Sequence, residues 1–403
     1  MDREELVKKL HVKNNTKLIL LVFDGIGGLP MKDGKTELES AVKPNLDQLT
    51  KDSTCGMVYP VMPGITPGSG PGHLGLFGYD PLKYNIGRGI LEALGEDIEI
   101  GDKDIAIRGN FATVKDGIVV DRRAGRPKTE ISSEIVRRLS SKIKEIDGVK
   151  ISIYPGREHR FVLVLTGDNL DDRLTDADPQ KTGEPVTYAK PLVKEAEFTA
   201  NVINKFMDKL MEELKDEEKI NSCLLRGYSK YPKIPSMEEL YGVKAACIAT
   251  YPMYKGISKL VGMDVLKFDG ETIEDEFKAL EKYYDDYDYF YVHIKKTDSY
   301  GEDGNFDAKV HIIEETDKYI NKMMVLDPDV VVVTGDHSTP ALLKGHSWHP
   351  NPFLIYSKYQ RKDDVESFTE KECAVKGIHG HLHSKDLIFL MLANSLRLEK
   401  FGA

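Results

Sequence analysis

The feature that most constrains this chain is a set of short, near-continuous apolar runs, three of which lead into an aspartate. Lys17–Phe23 (KLILLVF) runs straight into Asp24. Phe290–Ile294 runs through Lys295-Lys296-Thr297 into Asp298, and Val330–Val333 runs through Thr334-Gly335 into Asp336-His337. Ser222–Leu225 and Ala245–Ala249 are further runs of the same kind. Runs this short, without polar alternation, fit strands covered on both faces, as in a parallel sheet. Between them lie stretches with helical spacing. Glu195–Leu214 carries Phe198, Val202, Phe206, Leu210 and Leu214, and Ile273–Tyr284 and Val310–Met324 follow the same pattern. Strands alternating with helices predict an α/β fold whose mostly parallel sheet is flanked by helices.

The middle of the chain is patterned differently. Ile105–Val114, Ile118–Val120, Val149–Tyr154 and Arg160–Leu165 are β-rich pieces around one helical stretch, Ser132–Ile146, followed by Asp- and Pro-rich loops. With 403 residues against roughly 100–200 per domain, two domains are expected. The pattern places a smaller α+β domain at 104–186, inserted into a core made of 1–103 and 187–403.

Composition narrows the function classes. Fifty-six basic against 66 acidic residues give a net charge of −10, which argues against nucleic acid as a partner. No apolar run approaches a membrane span, and the charged start MDREELVKKL is unlike a secretory signal. Cys55, Cys223, Cys247 and Cys373 are far apart, so neither a zinc knuckle nor a disulfide framework is expected. The expected location is cytoplasmic.

An aspartate after a strand usually caps a helix or makes a turn. Three at equivalent strand ends, one followed by a histidine, point further, because ligands gather at the carboxyl edge of such sheets. Carboxylates and imidazoles brought together there repel unless cations sit between them, and a mixed O/N set suits Mn²⁺, Zn²⁺ or Mg²⁺. Gly64–Leu74 (GITPGSGPGHL) then supplies a serine, Ser69, where a Gly/Pro-rich loop enters a helix-like segment. A helix N-terminus favours phosphate, and a hydroxyl beside a divalent cation becomes a nucleophile. His346 and His349, in Gly345-His346-Ser347-Trp348-His349-Pro350, are both candidate ligands. The run Ile378–His383 reads as polar loop histidines before a helix.

In this order, these pieces resemble the alkaline phosphatase superfamily, and more closely the archaeal-type, cofactor-independent phosphoglycerate mutases. The carriers of the resemblance are VFDGIGGLP, ITPGSGPGHLGLFGYDP, VVDRRAGR, GREHRFVLVL, LTDADP, LLRG, YKGISKLVGM, HIKKTDSYGEDGNFDAKV and VVTGDHSTP. They span nearly the whole chain. The resemblance implies an alkaline-phosphatase-like core and two divalent metal ions. One would be held by Asp24, Ser69, Asp336 and His337, the other by Asp298, Glu302 and His346. Many relatives in the wider superfamily have histidine where this chain has Glu302, and an oxygen ligand there favours Mn²⁺, with Mg²⁺, Zn²⁺ or Co²⁺ as alternatives. The family pattern His-Ser-x-x-Pro favours His346 over His349.

The resemblance further implies that Ser69 is a nucleophile passing through phosphoserine, in the interconversion of 3-phosphoglycerate and 2-phosphoglycerate without 2,3-bisphosphoglycerate. The inserted domain would hold the glycerate. Planar guanidinium groups suit carboxylate and phosphate, and Arg122, Arg123, Arg126, Arg157 and Arg160 cluster there, with Asp121 and His159 among them as candidates for the glycerate hydroxyls. Lys255 would contact phosphate. Closure of the second domain would keep water from the intermediate. Competing expectations are a metal-dependent phosphatase, a sugar-phosphate mutase, a phosphonopyruvate-cleaving lyase, and an inactive metal-binding regulatory protein. A homo-oligomer is compatible with all of them.

Overall fold

The computed structural model describes residues 1–84 and 86–402. They form two compact units, Met1–Asn85 with Ile234–Ala403, and Ile86–Lys233. The inserted unit is thus wider than the expected 104–186. The reason is packing. The helix Glu197–Glu213 buries Val202, Ile203, Phe206 and Leu210 in the same core as Ile107, Phe161 and Leu163 of the insert's sheet, and the strand Ser222–Ser229 pairs with that sheet.

The larger unit is built on an eight-stranded sheet. Its order is Asp264–Val265, Ala245–Ile248, Tyr289–Ile294, Leu18–Phe23, Val330–Thr334, Asn351–Ser357, Thr54–Tyr59 and His381–His383. Only Asn351–Ser357 runs against its neighbours. The expected α/β architecture with a mostly parallel sheet is therefore observed. Leu18–Phe23, Tyr289–Ile294 and Val330–Thr334 are buried along their whole length, as strands covered on both faces must be. On one face Ile19, Leu21, Phe23, Phe290, Val292, Val331 and Val333 pack with Phe277, Leu280, Ile313 and Ile320 from the helices Ile273–Tyr283 and Phe306–Val325. The opposite face carries Tyr291 and His293. Their rings meet Phe77 and His73 of the helix Ser69–Leu76 and Tyr254 of the helix Pro252–Leu260.

Register places the site. Phe23 pairs with Ile294, and Val22 pairs with Thr334. The residues that follow these three strands, Asp24, Lys295–Asp298 and Gly335–His337, therefore emerge at one edge of the sheet. Gly25 makes the first turn possible. It sits at φ +63°, where an L side chain is strained, and an added Cβ would lie 2.4 Å from Thr339 Oγ1.

The smaller unit is an antiparallel sheet. Asp104–Lys115 pairs with Ile118–Asp121, Arg160–Thr166 and Ser222–Ser229, and Val149–Pro155 continues from Arg160–Thr166. Ser222–Leu225, expected in the parallel sheet, belongs here instead. Both of its faces are buried, Cys223 and Leu225 in the main core and Leu224 with Ala112 and Val119 in a second one. Double burial removes the alternation that normally marks an antiparallel strand. Among the described residues, no helix is long and apolar enough to cross a membrane.

Candidate functional site

Asp24, Ser69, Asp298, Asp336, His337 and His346 all lie in the larger unit, and the fold brings them together. Asp24, Asp336 and His337 are fully buried and Asp298 nearly so. His337 is central. Its Nε2 lies 3.3 Å from Asp24 Oδ1, 3.2 Å from Asp336 Oδ2, 4.0 Å from Asp298 Oδ1 and 3.3 Å from Ser69 Oγ. His346 Nε2 is 3.5 Å from Asp298 Oδ1, and its ring stacks on His337 with centroids 3.7 Å apart. Two groups of atoms that could hold a metal ion result, Asp24/Asp336/His337 and Asp298/His337/His346. Glu302 stands at the margin. Its side chain is 57% exposed, and Oε1 lies 3.9 Å from His346 Nε2. His349 is in neither group; its Nδ1 faces Ser347 Oγ.

Ser69 is the first residue of the helix Ser69–Leu76, after Gly68 in extended conformation. The helix lies against the strand end that carries Asp336. A Cβ at Gly72 would meet the Asp336 carbonyl oxygen at 2.4 Å, so glycine there permits the approach. His73 ties the two segments from below. Its Nδ1–H donates to Ser69 O at 2.8 Å and lies 3.2 Å from Asp336 Oδ2.

These residues fit divalent cations on three counts. First, Asp24 Oδ1 and Asp336 Oδ2 are buried with no hydrogen-bond partner, and buried carboxylate oxygens are costly unless paired. Second, the carboxylates of Asp24 and Asp298 share one ammonium. Lys295 Nζ lies 2.9 Å from Asp24 Oδ2 and 2.6 Å from Asp298 Oδ2. Third, both histidines are held in one tautomer. Thr339 Oγ1 donates to Asp298 Oδ1 at 2.8 Å, so at 2.9 Å it accepts from His337 Nδ1–H. His346 Nδ1 must donate to the Pro67 carbonyl at 2.9 Å. Each Nε2 lone pair is then left to face the carboxylates, the arrangement metal-ligating histidines require.

The electrostatics agree. Burial by itself would push the Asp24 carboxyl up, but Lys295 and the adjacent His293 and His337 imidazoles carry it well below the usual carboxylate range. Burial opposes charge on His337 too, yet Asp336, Asp24 and Asp298 raise its pKa to about 9. A site that draws a proton onto a buried imidazole is short of positive charge.

Four contributors lie inside the quoted motifs without having been singled out as site residues. Tyr254 donates a short hydrogen bond to Asp24 Oδ2, His293 Nε2 lies 3.5 Å from the same oxygen, and Lys295 and His73 complete the surround. His293 offered one signal, a histidine inside an otherwise apolar run. Lys255 follows Tyr254 in the first turn of Pro252–Leu260 and is half-buried.

In the smaller unit, Arg122 makes a two-pronged ion pair with buried Asp178, at 3.2 and 2.8 Å. Asp121 shapes a turn, its oxygens accepting from the backbone of Arg123 and Gly125 at 2.8 and 2.7 Å. Burial, then the charges of Arg160, Arg123, Arg108 and Arg126, lower the His159 pKa to about 4. The charges of Arg123, Arg126 and Arg160 all reach His159, as does that of Arg108, which no sequence motif singled out. Arg157 is exposed.

The comparisons with known proteins agree with one another. Residues 50–221 match the family model described as 2,3-bisphosphoglycerate-independent phosphoglycerate mutase. A curated relative from Thermotoga neapolitana, named "Probable 2,3-bisphosphoglycerate-independent phosphoglycerate mutase", is 55% identical over 403 residues and covers all of both chains. A solved protein from Pyrococcus horikoshii is similar in structure with a TM-score of 0.83 at 28% identity, covering 97% of this chain and 100% of that one. The solved cofactor-independent phosphoglycerate mutase from Thermoplasma acidophilum gives a TM-score of 0.71 at 30% identity, covering 94% and 100%.

Proposed function

The chain belongs to the family of 2,3-bisphosphoglycerate-independent phosphoglycerate mutases, and from that premise we propose how its residues interconvert 3-phosphoglycerate and 2-phosphoglycerate. The chain is an isomerase acting on a small molecule. The observation that carries the residue-level reading is the position of Ser69, at the start of a helix and 3.3 Å from His337 Nε2.

Divalent cations, when bound, would supply Lewis-acid stabilisation of phosphoryl oxygens and a lowered pKa for a serine hydroxyl. Asp24, Ser69, Asp336 and His337 would hold one, and Asp298, Glu302 and His346 the other, with Mn²⁺ the preferred ion. Ser69 Oγ attacks phosphorus. The Oγ–P bond forms as the substrate's O–P bond breaks, the proton given up by Ser69 ending on the departing glycerate oxygen; the other glycerate hydroxyl later takes the phosphoryl group back and returns its proton to Ser69. The helix N-terminus favours the phosphoryl oxygens throughout. Lys255 contacts phosphate. Arg122, Arg123, Arg126, Arg157 and Arg160 hold the glycerate carboxylate while its hydroxyls exchange. Retention of glycerate separates a mutase from a phosphatase, which would let water take the phosphoryl group. A cytoplasmic location is supported by four unpaired, buried cysteines.

The test is a product assay. Chelated protein is given 3-phosphoglycerate and then Mn²⁺, and 2-phosphoglycerate is followed against inorganic phosphate. The expected result is inactivity after chelation, then 2-phosphoglycerate without matching phosphate release. Stoichiometric phosphate release, or full activity after exhaustive chelation, would refute the mechanism.

A further inference from the structure

The helix Phe306–Val325 carries a lysine that no part of the mechanism uses. Lys309 is wholly buried, although lysine is almost never buried without a partner. Its Nζ donates to three backbone carbonyls, Gly25 O at 2.9 Å, Gly27 O at 3.2 Å and Thr339 O at 2.9 Å. An ammonium has three N–H donors and no acceptor. Three carbonyls therefore use it completely, whereas a neutral amine would set its lone pair against one of them. Burial lowers the Lys309 pKa, but the three acceptors and Glu37 Oε1, 3.7 Å away, favour the charged form.

The carbonyls it binds are not arbitrary. Gly25 and Gly27 belong to the turn that begins with Asp24. Thr339 is two residues past His337, and its hydroxyl bridges His337 Nδ1 and Asp298 Oδ1. Lys309 itself sits on the helix that follows Asp298 and Glu302. One side chain thus joins all three ligand-bearing segments from the interior side. Glu37 extends the clamp by accepting from the Ala341 backbone at 2.8 Å. Burying an ammonium costs several kcal/mol, and a leucine or methionine would fill the same core position without that cost. The expense is explained if the hydrogen bonds fix the loops in the spacing that two cations need.

We propose that Lys309 is a positioning residue, an ammonium clamp that holds the Asp24, Asp298 and Asp336-His337 segments at metal-binding distance. The proposal rests on the metal reading of those segments. It differs from a core-packing role, which would affect stability but not metal affinity.

The experiment is Mn²⁺ titration by calorimetry on metal-stripped full-length protein, for wild type, Lys309→Met and Lys309→Gln. Melting temperature is measured with and without Mn²⁺. The methionine keeps the volume and loses every donor, and the glutamine keeps two. The expected result is a 10- to 100-fold weaker Mn²⁺ affinity in Lys309→Met, the range seen when groups that orient metal ligands are removed, with Lys309→Gln in between. The Mn²⁺-induced rise in melting temperature should shrink in the same order. Wild-type affinity in either folded variant overturns the proposal, however much the melting temperature drops. Failure of both variants to fold also overturns it, because the ammonium would then be a condition of folding. A wild-type protein that takes up no Mn²⁺ refutes the metal reading itself and is told apart by that control.

Discussion

Gly72→Ala is expected to cripple catalysis through one misplaced methyl group. Gly72 lies in the helix that begins with Ser69, and a Cβ there would stand 2.4 Å from the Asp336 carbonyl oxygen, against an ordinary contact of 3.4 Å or more. The obstacle is backbone, so no rotamer relieves it. The helix must retreat from the strand end by about 1 Å, and Ser69 Oγ retreats with it from His337 and Asp336. A displacement of that size at a reacting centre costs on the order of 10²-fold in rate. Stability supplies an independent sign. In an open helix, alanine is better than glycine by about 1 kcal/mol, whereas overpacking costs about 1–3 kcal/mol. The net result is a loss of up to about 2 kcal/mol rather than a gain. The assay is steady-state turnover of 3-phosphoglycerate with Mn²⁺, paired with a melting curve. Gly68→Ala is the comparison, since its methyl would meet only Pro71 Cδ at 3.8 Å; it should stay within a few-fold of wild type. Full turnover with a raised melting temperature in Gly72→Ala would refute the close-approach argument.

Ser69→Ala should abolish turnover and phosphoenzyme formation while leaving the circular dichroism unchanged; retained turnover means another group is the nucleophile. His346→Ala should weaken one of two Mn²⁺ sites at least tenfold by calorimetry, whereas His349→Ala should leave both within about threefold; the reverse order would reassign the ligand. His159 makes stability pH-dependent. Its folded pKa is lowered to about 4 from an ordinary 6.5, so between these values the unfolded chain takes up a proton that the folded chain refuses. Stability from this group is whole above pH 6.5 and is lost as pH falls toward 4, by at most about 1.4 kcal/mol per pH unit. His159→Asn should flatten that part of the melting-temperature profile, and an unchanged profile would contradict the assignment.

What the sequence makes legible follows from what the sheet does to it. Leu18–Phe23 and Val330–Thr334 are readable as strands because both faces are buried, and Asp24 and Asp336 as a pair because in-register parallel strands end together. The same double burial hides direction. Ser222–Leu225 is as apolar as Ala245–Ile248, yet one pairs antiparallel and the other parallel, and periodicity carries no information on that choice. Tyr254 and Lys295 stay hidden for another reason. Tyr254 reaches Asp24 across 230 positions, and a tyrosine on an apolar helix looks like core until its hydroxyl is placed. Lys309 is hidden more thoroughly, since lysine in an amphipathic helix reads as solvated surface.

A net charge of −10 describes neither unit's site, and two histidines report the difference. Both are buried, and burial lowers the pKa of each. At His337 the carboxylates of Asp336, Asp24 and Asp298 overturn that tendency and carry the ring to about 9. At His159, Arg160, Arg123, Arg108 and Arg126 reinforce it and leave the ring at about 4. The same side chain is thus driven in opposite directions by the local sign of charge. The charge around His337 favours cations and the charge around His159 favours anions, in each case from groups of the same unit. A mutase needs both, because it must part a phosphoryl group from a glycerate that is itself an anion and keep hold of each. A hydrolase needs only the first. If, as proposed, the arginines around His159 hold glycerate, they favour returning the phosphoryl group to glycerate rather than passing it to water.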